Sequence, residues 1–348
     1  MTTSSRTIIM AALALGVLLP DAGAASVDAI YAFGDSLSDV GNIYAATGGT
    51  IPAPPYVNGQ FSNGPVWVQD LATGLGLAPL TPSLLGGTDY AYGSGESAPE
   101  LFNTSNVATD ILGSTGQLAQ YEGFLTTHSS TADPNALYTI WIGSNDIVDI
   151  LATDPANAAA DILTVAQNID TTIADLAALG AKNFLVVNVP DLGDTPGAAA
   201  EGPAAQSALS SLSAGLDTTL VNGLGPIPSL AALATADGLN LQVLNTYLLL
   251  DSIVASPATY GFANATNQCV STIPPDITGP GPLNYTECAD PNSYLFWDYE
   301  HPTAPGQQIV ANAALALVAP EPGSISLIGA GLIGLALMRR HAAGSQRS

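Results

Sequence analysis

The chain of 348 residues is 47% hydrophobic, which excludes a disordered polymer and supplies a core for one large domain or two small ones. Between residues 25 and 320 there are 27 acidic residues and one base, Lys182. A surface of that sign repels phosphate backbones and anionic headgroups, so nucleic acid is excluded as a partner, and the acidity reads as a solvated, self-repelling surface.

In chain order, residues 1–24 read as a signal peptide. Arg6 precedes an apolar stretch from Ile8 to Leu19, Pro20 ends it, and Ala22-Gly23-Ala24 has the small-residue spacing of a cleavage site. A first buried strand is predicted at "AIYAF" from Ala29, and a further one in or near "TDYAY", residues 88 to 92. "LYTIWIG" from Leu137, "NFLVVNV" from Asn183 and "LQVLN" from Leu241 follow. Such near-continuous apolar runs suit a parallel sheet covered on both faces. A helix is predicted from Ala156 to Leu179, with Ile162, Val165, Ile169, Ile173 and Leu176 at steps of three and four and Gly180 as its stop. "TAPGQQIVANAALALV" from Thr303 reads as the last helix. The alternation of strand and helix gives an α/β class with a mainly parallel sheet. Two stretches are expected to be irregular, the segment from Gly48 to Val66 and residues 256–292, and no linker divides residues 25–318.

Ligands of open α/β sheets bind beyond the carboxyl ends of the strands. "GDS" at 34–36, "GSG" at 93–95 and "GSND" at 143–146 each follow a predicted strand, and "FWDYEHPT" at 296–303 directly precedes the last helix. The fourth cluster holds Asp298 and His301; outside the tail the other histidine is His128, in a polar "TTHSS" stretch. Taken singly, Ser36 reads as a helix N-cap, Asn145 and Asp146 as turn residues, Gly93 as a turn glycine and His301 as a surface histidine. Those separate readings leave unexplained why all four clusters sit at strand ends or beside the last helix.

These four ordered blocks, with a terminal D-x-x-H, resemble the GDSL-type serine hydrolases of the SGNH superfamily. The resemblance runs from Asp28 to about Val318 and includes "NGQFSNGPVWVQDLA" and "VVNVPDLGDTP". It implies a three-layer α/β/α sandwich of flavodoxin-like form and an ester hydrolase acting through an acyl-enzyme, with no cofactor and no metal. Ser36 would be the nucleophile, His301 its general base and then acid, and Asp298 the group that fixes the imidazole tautomer. The N–H groups of Ser36 and Gly93 and the amide of Asn145 match the family's oxyanion donors. Asp35, Asp39, Asn42 and Asp146 read as residues that hydrogen-bond the turns, while Asp191, Asp194 and Tyr92 carry no assignment. The second block departs from the family at Asp89, where asparagine is frequent, and at Ser94, where a second glycine is common. An acyltransferase on the same fold and a non-catalytic surface or matrix binding protein are the alternatives. The ester, lipid or acylated polysaccharide, and the oligomeric state are left open.

The tail, residues 319–348, has the triplet Pro320-Glu321-Pro322, an apolar stretch at 325–338 that is short for a transmembrane segment, and Arg339-Arg340. It resembles the PEP-CTERM sorting signal, with Ala319 standing between Val318 and the triplet as a departure. That resemblance implies export in a Gram-negative bacterium, transient anchoring, cleavage by an exosortase-like protease and delivery to the cell surface or extracellular matrix. A plain C-terminal anchor is the alternative. In an oxidising compartment Cys269 and Cys288 read as a disulfide, with two buried thiols as the alternative.

Overall fold

The computed structural model describes residues 27–97, 116–272 and 285–319. The expected signal peptide, residues 1–24, and nearly all of the tail, including 325–338, lie outside the described residues. Among the described residues no helix is long and apolar enough to cross a membrane.

Four parallel strands, β1 (Ile30–Gly34), β2 (Leu137–Trp141), β3 (Asn183–Val187) and β4 (Asn240–Leu244), lie in that order in one sheet. The helices are α1 (Asn42–Ala46), α2 (Trp67–Gly74), α3 (Gly116–Thr127), α4 (Ser144–Thr153), α5 (Ala158–Leu179), α6 (Pro196–Glu201), α7 (Pro203–Asn222), α8 (Leu230–Asp237), α9 (Thr246–Ala255) and α10 (Ala304–Val318). Because strand side chains alternate, the apolar runs feed two cores. Phe33, Tyr138, Ile140, Phe184 and Val186 meet α3, α4, α5, α7 and α8 on one face. Ile30, Ala32, Leu137, Trp141, Leu185 and Val187 meet α2 and α10 on the other. This is the expected three-layer α/β/α sandwich.

The expected strand at 88–92 is a looser element. Its backbone runs beside β1 through Ala32 N–H to Thr88 O, Tyr90 N–H to Ala32 O and Tyr92 N–H to Gly34 O, at 2.7–3.1 Å. Asp89 is bonded on the other side, its N–H to Thr81 O and its carbonyl from Ser83 N–H. With this segment beyond β1, the spatial order is the flavodoxin-like 2-1-3-4-5.

The described parts of 256–292, residues 256–272 and 285–292, depart from the irregular course expected of them. β5 (Asn264–Gln268) pairs with β8 (Tyr294–Phe296) in parallel, and β6 (Val270–Thr272) pairs with β7 (Tyr285–Glu287) antiparallel. Cys269 and Cys288 form a disulfide, Cα atoms 4.9 Å apart, at the end of the β6–β7 ladder. These strands are short and half exposed, so they carry neither an apolar run nor a clean alternation for sequence reading to find.

Candidate active site

β1 ends at Gly34, where a Cβ would collide with the carbonyl oxygen of Trp141 on β2, so only glycine lets the two strands close up here. Asp35 then folds the chain over. Its Oδ1 accepts from Leu37 N–H at 2.9 Å and its carbonyl from Ser38 and Asp39 N–H at 3.0 Å. Ser36 sits on this turn and caps no helix, since α1 begins at Asn42 with Gly41 as its cap. The Ser36 Oγ lies 2.7 Å from His301 Nε2, and His301 Nδ1 lies 2.7 Å from Asp298 Oδ2. The chain separation between serine and histidine is 265 residues.

Asp298 is held from three directions. Its Oδ1 accepts from the N–H groups of Glu300 (2.8 Å) and His301 (2.7 Å), and its Oδ2 accepts from the Tyr56 hydroxyl at 2.6 Å. Burial alone would raise the Asp298 carboxyl, but the charge and hydrogen bonds of His301, with Tyr56, hold it below the ordinary range. Burial likewise opposes charge on His301, yet Asp298, then Glu300 and Asp35, outweigh it and push the imidazole up to about 9. Phe61 stacks on the His301 ring with centroids 5.4 Å apart. Tyr56 and Phe61 both come from the irregular stretch after Gly48. Sequence reading missed them, because Tyr56 meets its partner 242 residues away and "PPYVN" has no local signature.

The second and third blocks are tied to the first by buried carboxylates. Asp39 accepts from the N–H groups of Gly41 (2.7 Å), Asn42 (2.6 Å) and Ile43 (3.2 Å), and from Gly93 N–H at 2.9 Å. Asp89 accepts from Val40 N–H at 2.9 Å, Ala91 N–H at 3.1 Å and Asn42 Nδ2 at 3.2 Å. Burial, and then Asp39, push the Asp89 carboxyl well above the ordinary range. Asp146 accepts from the N–H and hydroxyl of Ser97, so it ties α4 to the segment after the second block. The expectation that Gly93 is an oxyanion donor needs correcting here: its N–H is committed to Asp39. Asn145 donates one amide hydrogen to Gly95 O at 2.8 Å and lines the cleft with Ser36 and His301. Ser94, at the family's second glycine, has φ of 60°, a left-handed conformation that glycine takes more easily.

Ser36, Asn145 and His301 open onto one cleft. Two further carboxylates line it. Asp35 is buried beside Ser36, its Oδ2 has no hydrogen-bond partner, and burial pushes it up to about 7. Glu300 Oε1 lies 3.7 Å from His301 Nε2, opposite Asp298 across the ring. Asp191, Asp194 and Asp251, which do not line the cleft, bring carboxylate oxygens within 4.8 Å of one another. Asp191 Oδ1 already accepts from Gly193 N–H and the Ser210 hydroxyl, and this cluster carries no ligand assignment. Tyr92 donates its hydroxyl to Gln120.

Comparisons with known proteins bear on the chain as a whole. The PEP-CTERM protein-sorting motif matches residues 318–340. An uncharacterized protein of Pseudomonas putida is 29% identical over 342 residues, 92% of this chain and 53% of its own. The thermolabile hemolysin of Vibrio parahaemolyticus is 26% identical over 83% of this chain and 63% of its own. The phosphatidylcholine-sterol acyltransferase of Aeromonas hydrophila is 33% identical over 49% of this chain and 46% of its own. The chain thus spans between about half and two thirds of the length of these relatives. The GDSL-like Lipase/Acylhydrolase family profile covers residues 30–314, and the chain belongs to that family.

Proposed function

We propose that the protein is an exported serine ester hydrolase. The observation that carries the reading is the pair of 2.7 Å contacts linking Ser36 Oγ, His301 and Asp298. A serine hydroxyl becomes a competent nucleophile when a base is held against it and the base is held in turn. His301 takes the Ser36 proton as Oγ attacks the ester carbonyl, and Asp298 stabilises the imidazolium that forms. The oxyanion is met by Ser36 N–H and the remaining amide hydrogen of Asn145; one such donor contributes about 3 kcal/mol to the transition state. His301 returns the proton to the leaving alcohol, and the acyl group stays on Ser36. Water, activated by the same imidazole, then releases the acid. An alcohol in place of water would make the protein an acyltransferase, the activity named for the Aeromonas relative.

The same reading gives a hydrolase domain at 25–318 between a signal peptide and a sorting tail that an exosortase-like protease removes at the surface of a Gram-negative cell. The test is Ser36→Ala. The variant should fold as the wild type does, lose hydrolysis of p-nitrophenyl esters by at least about 1,000-fold, and lose labelling by a fluorophosphonate. Retained turnover would remove Ser36 from the mechanism. Adding glycerol to the wild-type assay and weighing acylglycerol against free acid separates transfer from hydrolysis.

A further inference from the structure

The cleft does not end at the reacting groups. From Ser36 it extends between α9, β8 and α10. Its wall there is Leu249, Leu250, Ile253, Leu295, Phe296 and Val310. Thr195 and Thr246 also face it, but their hydroxyls donate to the backbone carbonyls of Leu192 and Asn188. The polar and charged groups gather at one end, around Ser36, and the rest of the cavity offers little for a polar ligand to bond. Ile253, Leu295 and Phe296 belong to a separate buried cluster with Phe262 and Ala265, behind which the β5–β8 pair closes. The segment that delivers Asp298 and His301 therefore also builds the cavity wall.

We infer that this cavity is the acyl-chain site, taking an aliphatic chain well beyond acetyl, with Leu250 setting its length. The inference rests on the hydrolase reading for its chemistry. An acyl group on Ser36 has its carbonyl among the polar groups, and its tail has an apolar path between α9 and α10. An acetyl group would leave that path unfilled. A sugar in the same place would bury hydroxyls against leucine and phenylalanine without partners, at the cost that unpaired polar groups carry. Each methylene moved from water into such a wall raises kcat/KM about three- to fourfold, until the chain outgrows the cavity. Leu249 and Leu250 are half-buried on α9, so a larger side chain at 250 can enter the cavity without displacing the core.

A series of p-nitrophenyl esters from acetate to dodecanoate is the experiment, on wild type, Leu250→Trp and Leu250→Ala. The wild type should prefer octanoate to acetate by at least about 100-fold in kcat/KM. Leu250→Trp should cut that ratio at least about tenfold, and Leu250→Ala should move the optimum to longer chains. A wild-type ratio near one, or a ratio unmoved in both variants, overturns the acyl-chain site while leaving the hydrolase reading intact. Failure of every ester together with failure of fluorophosphonate labelling would instead sink the hydrolase reading. The cavity is then judged by binding alone. ω-Bromooctanol should quench the fluorescence of Trp141, which lines the cavity, saturably, and Trp141→Phe should remove that quenching. Quenching that does not saturate overturns the site.

Discussion

The two sides of the cleft are built differently. Ser36 and Asn145 stand at the ends of β1 and β2, strands paired in register over five residues and covered on both faces. Asp298 and His301 stand just past β8, a strand of three residues, on a segment whose β5 and β7 are largely exposed. The first side is held by burying carboxylates among backbone N–H groups; the second is held by cross-links: the disulfide, Trp297 N–H to His301 O at 2.7 Å, and Tyr56 reaching across from the N-terminal loop. A rigid sheet edge can place a nucleophile by itself, whereas a loop has to be tied down by side chains from elsewhere.

That contrast breaks most visibly at Asp39. It is fully buried and accepts four N–H groups that join the Ser36 turn, α1 and Gly93. Asp39→Ala leaves those donors buried and unpaired, at about 1–3 kcal/mol for each that finds no water. A loss of about 4 kcal/mol is expected, lowering the thermal midpoint by about 10 °C, with Ser36 labelling falling in parallel. A midpoint within about 3 °C of wild type would mean that the turn is held by packing instead.

On the other side, Cys269→Ser with Cys288→Ser should cost about 3 kcal/mol in the chain-entropy account. Cys269 N–H donates to Phe296 O and Val270 N–H to Trp297 O, so the loosened strand lies directly against the one leading into Asp298. The double variant should therefore lose kcat as well as stability. Kinetics at a temperature well below its midpoint decide the point: an unchanged kcat reduces the disulfide to a stability clamp.

The same contrast separates what was legible in the sequence from what was not. β1 to β4, α5 and α10 announce themselves because their apolar patterns are local and continuous. Ser36 and Asn145 are readable because each lies just past such a strand, and Asp298 and His301 because they lie just before α10. The roles of Asp35, Asp39, Asn42 and Asp146 in holding turns also follow from residue type. The cross-links on the second side do not. Tyr56, the β5–β8 pair and the wall at Leu295 and Phe296 act through partners distant in sequence. Gly93 fails for a related reason: a sequence block fixes which residue sits near the site, but a carboxylate 54 residues earlier decides where its N–H points.

Tyr56→Phe sharpens the comparison by removing a single tie. The Tyr56 hydroxyl donates to the same Asp298 oxygen that His301 Nδ1 uses, so its loss frees the carboxylate without changing the sheet side. A charge-assisted bond of this kind contributes about 1.5–3 kcal/mol, part of which water can replace. The expected result is a fall of about tenfold in kcat/KM, carried by kcat, with the thermal midpoint lowered by no more than about 4–7 °C. A pure KM effect would place Tyr56 against the substrate instead.

Glu300 gives the smallest and most specific effect. It lies on the second side, 3.7 Å from the His301 nitrogen that accepts the Ser36 proton in the proposed mechanism. The groups bearing on the imidazole are Asp298 at Nδ1, Glu300 at Nε2 and Asp35 across the turn, all acidic, and together they push it up to about 9. Only the neutral imidazole can act as base, so kcat/KM should rise with pH through that value and the enzyme should work best in alkaline solution. The sign for stability is the opposite. A histidine whose folded pKa is raised contributes fully below its unfolded value of about 6.5 and loses that contribution as pH rises to about 9. The pH of best activity should therefore lie above the pH of greatest contribution from this group. Glu300→Gln removes one acid and keeps the side chain's shape. It should move the acid limb of kcat/KM downward by about half to one pH unit, while Glu300→Asp keeps the charge and should leave the limb near that of wild type. If the Gln variant's limb stays where it is, Asp298 alone sets the base. If kcat falls at every pH with the limb unmoved, Glu300 acts on the substrate and not on His301.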